Sequence, residues 1–181
     1  MSELVSPIMR GTKILTPFAI TLAIASVLVG SALSQNLKSA IASTDIFTAT
    51  LGGDKEVPPV QTNATGSIGF SQPHLNNMSY GLQVENLANI TAAHIHMGKE
   101  GANGPVVVTL FKADNGTGTG LLKGQLAKGA IINKMLEGPL AGKAVETDLV
   151  NAIKSGEAYV NVHTVDHPDG AIRGQIVAPV Q

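Results

Sequence analysis

His94 and His96 are separated by one residue, and a third histidine, His163, lies in a similar alternating segment far down the chain. In a β-strand, residues two apart point from the same face, so His94 and His96 share one face while Ala93, Ile95 and Met97 share the other. The apolar set is expected toward the core. In the segment around His163, Tyr159, Asn161 and His163 alternate with Val160 and Val162, and near the C-terminus Arg173 and Gln175 alternate with Ile172 and Ile176. If these segments are neighbouring strands, the polar residues converge on one face. A His-x-His pair with a distant third histidine suits zinc or copper, because neutral imidazole ligates both. The same residue types also build a metal-free polar network, in which neutral, unmetallated His94 and His96 join Asn161 and Arg173, with Glu56 and Tyr159, to order the neighbouring turns through hydrogen bonds. The residues alone leave both readings open.

Other chemistries fit poorly. The 181 residues contain no cysteine, which removes disulfides, thiolate nucleophiles and Cys-ligated zinc. A metal here must use histidine, carboxylate or carbonyl ligands. Gly98, Gly101 and Gly104 resemble a phosphate loop only in spacing; no Lys-Ser/Thr follows and no helix opens there, so they read as turn glycines. No serine stands in a nucleophile-elbow context. His74 and His167 adjoin prolines in turns and are left out of the site, and Met97 reads as core. A net charge of −1 and 14% charged residues give no basic field for nucleic acid.

The elements that must position these residues are mostly short strands. Phe47, Ala49 and Leu51 alternate with threonines; Ile68 and Phe70 are expected to pair with Tyr80, Leu82 and Val84 in a hairpin. The run from Pro105 to Phe111 reads as a buried central strand, and Leu121 to Leu126 as another strand. One helix is expected, capped by Thr147, with Leu149, Val150 and Ile153 as its apolar stripe and Gly156 as its stop. A second hairpin, Glu157 to His163 with Ala171 to Val177, closes the chain. The expected class is all-β: a single antiparallel β-sandwich, immunoglobulin-like or superoxide-dismutase-like, with one short helix behind an N-terminal hydrophobic leader helix.

That leader comprises residues 1–34. Arg10 and Lys13 precede an uncharged stretch from Ile14 to Leu33, long enough to span a bilayer, so it reads as a signal peptide or a membrane anchor. Residues 35–45 read as a linker and 46–178 as the β-domain. Positive charge before the apolar run places the domain outside the cytoplasm, secreted or held at the outer face of the membrane. Sequons at Asn63, Asn77, Asn89 and Asn115 accord with export as candidate glycosylation sites.

Three segments together resemble a known family. They are Leu51-Gly52-Gly53-Asp54-Lys55-Glu56-Val57-Pro58-Pro59-Val60; Ala93-His94-Ile95-His96-Met97-Gly98 with Asn103-Gly104-Pro105-Val106-Val107; and Tyr159-Val160-Asn161-Val162-His163-Thr164 with Gly170 and Ile172-Arg173-Gly174-Gln175-Ile176. In this order they resemble the CHRD domain, named after chordin and present in many secreted microbial proteins. The likeness runs from about Phe47 to Val177, with His167-Pro168-Asp169-Gly170 in place of the family's frequent Asn-Pro-Gly-Gly turn. It implies a compact extracytoplasmic β-domain. In chordin such domains belong to a secreted growth-factor antagonist; in the microbial relatives no activity is settled. A looser similarity links the His-x-His strand to copper–zinc superoxide dismutase, whose zinc loop has no recognisable counterpart here. The leading expectation is therefore a non-enzymatic binding or cell-envelope module, its partner a protein or envelope component. The alternative is a His-ligated copper or zinc protein, open to redox chemistry.

Overall fold

Alternation builds the first three strands. In a computed structural model describing residues 45–72, 77–114 and 119–178, β1 (Asp45–Gly52), β2 (Thr65–Gln72) and β3 (Asn77–Leu87) form an antiparallel meander. Phe47 pairs with Phe70 and Phe70 with Tyr80, while Ile68 pairs with Leu82, so the expected hairpin register holds. Period-2 patterning fixes that register because a slip of one residue would turn every apolar side chain to water.

The remaining strands are β4 (Ile90–Met97), β5 (Val106–Lys112), β6 (Leu122–Ile132), β7 (Ala158–Thr164) and β8 (Ile172–Gln175). All eight join in one antiparallel sheet of order β5-β4-β7-β8-β1-β2-β3-β6. This corrects the expected two-sheet sandwich. The sheet curls until its end strands approach, forming a nearly closed barrel. Tyr80 Oη donates to Leu110 O at 2.7 Å, and Val108 bridges Leu136 across the seam. Local alternation is the same in a sandwich and a barrel, and only the pairing order separates them. The apolar run expected as a central strand is β5, at one end of the sheet order; the seam explains its buried valines.

Phe47, Phe70, Leu82, Ile95, Val160 and Ile172 fill the interior. The helical segment opens as a π-turn at Val145–Leu149 and continues as α1 (Val150–Lys154). The expected Thr147 cap is not formed, since the segment has no side-chain cap hydrogen bond at either start and Thr147 lies within the first turn. Thr147 Oγ1 instead donates to Asp148 Oδ2 at 2.9 Å, and that carboxylate accepts the Ala144 N–H at 3.1 Å. These bonds hold the Asp148 carboxyl below its ordinary pKa. The expected strand at Leu121 to Leu126 runs on to Ile132. The leader, most of the linker and Asn115 lie outside the described residues; Asn63 and Asn89 are exposed and Asn77 is half-buried at the start of β3.

Candidate metal centre and its supporting network

Strand β7 is buried along its whole length, from Ala158 to Thr164. Its inner face meets the core, so its outer face must be covered by something else. The cover is the segment after β1, the Gly98–Gly104 turn and the turn between β7 and β8. Neighbouring registers bring the polar residues of three strands together beneath it. His94 pairs with Asn161 and Asn161 with Arg173; His96 pairs with Tyr159 and Tyr159 with Gln175; His163 pairs with Ala92, diagonal to His94. Extra residues on β5 shift the β4–β5 register on either side of His94 and Ile95, a device that re-aims strand side chains.

The three histidines do converge. Ring centroids lie 4.9 Å apart for His94 and His163, 5.7 Å for His94 and His96, and 5.8 Å for His96 and His163. One ring nitrogen from each falls within 4.8 Å of the others. His96 and His163 are 8% and 9% exposed, and His94 is half-buried. His96 Nδ1 lies 2.9 Å from Gly104 O and His163 Nδ1 lies 2.9 Å from Pro168 O. A carbonyl only accepts, so both Nδ1 atoms carry the proton and both Nε2 atoms are bare in the neutral ring. Those Nε2 atoms and His94 Nδ1 are buried without a hydrogen-bond partner among the described residues. Burial pushes His94 down to about 4, with His163 and His96 adding repulsion; it lowers His96 and His163 as well. The cluster is therefore three neutral imidazoles.

Behind it lies a second polar group. The Arg173 guanidinium carbon is 3.5 Å from the Tyr159 ring centroid, and Tyr159 stacks on His96 with centroids 5.0 Å apart. Arg173 donates to Asn103 Oδ1 at 3.0 Å and to the carbonyls of Lys99 and Ala102 at 3.1 and 2.8 Å. Asn103 Nδ2 donates to Val57 O at 2.8 Å, which ties two covering turns to one arginine. Tyr159 Oη accepts from Gly104 N at 3.1 Å. A Cβ at Gly104 would run into Met97 O, so this turn requires glycine. Asn161 Nδ2 donates to Glu56 Oε2 at 3.3 Å, while Glu56 Oε1 and Asn161 Oδ1 have no donor among the described residues. Burial outweighs the nearby Arg173 and raises Glu56 from 4.5 to about 7. Protonation turns a buried acceptor of that carboxyl into a donor and removes the charge that burial disfavours.

Every residue expected in the site is thus brought to one face: His94, His96 and His163 in the cluster, and Glu56, Tyr159, Asn161 and Arg173 in the network. Asn103 is an addition. It stands in a turn that spacing reads only as glycine-rich, and nothing local marks its bridging role. A cleft of about 240 Å³ between Glu56–Val60 and Asp166–Gly170 adjoins the network, and none of the three histidines lines it.

Fold and site define an all-β barrel domain whose outer face carries a covered cluster of neutral imidazoles. The family model for the CHRD domain matches residues 47–176, and the chain belongs to that family. No curated protein and no solved structure matches the chain significantly.

Proposed function

We propose that this CHRD domain is an exported module that holds a single metal ion, copper or zinc, on His94, His96 and His163. The observation that carries the reading is that one ring nitrogen from each of the three histidines lies within 4.8 Å of the others, while each ring buries a nitrogen that has no hydrogen-bond partner among the described residues. Unpaired acceptors facing one another are costly without a cation between them. Zinc–nitrogen bonds of about 2.0–2.1 Å require those nitrogens to close by roughly 1 Å, a side-chain rotation. The Gly104 and Pro168 carbonyls fix the tautomers of two ligands from behind, as second-shell acceptors do in metal sites. Three protein ligands leave a coordination position for water or an exogenous ligand. Between the two metals, the affinity order favours Cu(II) over Zn(II). Export is supported by the basic and apolar leader, and places the site beyond cytosolic metal buffering.

The competing reading is a metal-free binding or envelope module, favoured by the way Arg173 and Asn103 tie the covering turns together. Elemental analysis and calorimetric titration with Cu(II) and Zn(II) separate the two. Wild type is expected to bind one ion per chain, and His94→Ala and His163→Ala to lose it while remaining folded. A folded wild type that takes up neither ion ends the metal reading.

A further inference from the structure

Two of the three imidazoles are held from behind by a carbonyl, and the third is not. His94 turns its buried, unpartnered Nδ1 inward, and it is the half-buried member of the cluster. Its ladder partner on β5 is Thr109, whose side chain therefore stands beside it on the same face. Thr109 Oγ1 donates to Glu137 Oε1 at 2.8 Å, and the Glu137 main-chain N–H donates to Val107 O at 3.0 Å. The carboxylate is thereby held by both side chain and backbone next to the open flank of the cluster.

We infer that Glu137 is the positioning residue for His94: held beside it by Thr109, it accepts from His94 Nε2–H through one water and so holds Nδ1 toward the metal. This rests on the metal reading above and assigns its ligand atoms as Nδ1 of His94 with Nε2 of His96 and His163. The arrangement gives each ligand an acceptor on its far side, two carbonyls and one carboxylate. A carboxylate behind a ligating imidazole fixes its tautomer and raises its basicity.

Glu137 is exposed, so Glu137→Gln and Glu137→Ala are expected to fold normally. The Gln variant keeps an acceptor for Thr109. Zinc and copper affinities are measured by competition with a chromophoric chelator, and the ring tautomers by long-range ¹H–¹⁵N NMR on the metal-free and zinc-loaded protein. Both variants are expected to lose about 10–100-fold in affinity, Ala at least as much as Gln. The zinc-loaded wild type is expected to show His94 ligated through Nδ1 with its proton on Nε2. Wild-type affinity in both variants, or His94 ligated through Nε2, overturns this assignment and leaves the centre standing. Absence of binding to the wild type instead removes the centre itself.

Discussion

The outer face of β4, β7 and β8 holds two buried polar groups side by side that satisfy their atoms differently. In the Arg173 group the donors find acceptors: the guanidinium reaches Asn103, Lys99 and Ala102, and Gln175 Nε2 donates to Gly98 O and Gly156 O at 3.0 and 2.8 Å. In the histidine cluster each ring buries a nitrogen that finds no hydrogen-bond partner among the described residues, and one nitrogen of each ring lies within 4.8 Å of the others. The Arg173 group fastens loops through its donors, although Glu56 Oε1, Asn161 Oδ1 and Gln175 Oε1 are left without a donor among the described residues. The histidine cluster differs in that its unmet nitrogens belong to three rings gathered in one place, a geometry suited to a cation. The two groups touch where Tyr159 stacks on His96, so the fastening of the turns also fixes the back of one proposed ligand.

Breaking the fastening group is expected to have the largest effect on stability. Arg173→Ala removes the donors to Asn103 Oδ1, Ala102 O and Lys99 O, of which Lys99 O retains the Ala102 N–H, and removes the contact with Tyr159. The expected loss is about 3–5 kcal/mol in urea-induced unfolding. Close behind is Gly170→Ala. Gly170 has φ +139°, and a Cβ there would lie within 2.7 Å of both Asn161 side-chain atoms and Glu56 Oε1. Strain and overpacking together make about 2–3 kcal/mol the expected cost. A loss below 1 kcal/mol in both would mean that this group is incidental to the fold.

The two groups also respond to pH in opposite directions. Glu56 has a raised folded pKa, so its contribution is full below 4.5 and fades as pH rises through about 7. The histidines have lowered folded values, so theirs is full above 6.5 and fades as pH falls, for His94 through about 4. Between these limits the effects oppose: His94 alone roughly offsets Glu56, and His96 and His163 add to its side, so metal-free wild type is expected to gain stability from pH 5 to 7. Glu56→Gln removes one side of the balance. Its stability should climb with pH over that range by on the order of 2 kcal/mol more than that of wild type. Identical pH slopes for variant and wild type would contradict the balance.

How much of this was legible in the sequence follows from which information is local. His94 and His96, then Tyr159, Asn161 and His163, declare their shared faces by period 2, and the final turn brings Arg173 back beside Asn161. Closure of the sheet is not local. The seam depends on Tyr80 reaching Leu110 and on Leu136 bridging Val108, contacts that no alternation pattern encodes. Asn103 and Glu137 escaped notice for the same reason, as each acts through a partner distant in the chain or from an irregular segment. The Thr147 cap fails because the helical segment starts earlier, at Val145, which puts Thr147 inside the first turn with its hydroxyl on Asp148.

The smallest expected effect is the one that best sharpens the contrast between the two groups. In metal-free protein, His94→Ala removes a half-buried ring whose inward nitrogen makes no hydrogen bond, and it relieves crowding with two other neutral imidazoles. Little native bonding is lost, so the expected change in unfolding free energy is within about 1 kcal/mol. With copper or zinc at a hundred times its dissociation constant, wild type should gain about 2.7 kcal/mol and the variant almost none. A large metal-free loss on His94→Ala would place this ring with Arg173 among the fasteners. A near-silent substitution that abolishes only the metal-dependent gain identifies a side chain whose place in the fold is tolerated for the sake of what it binds.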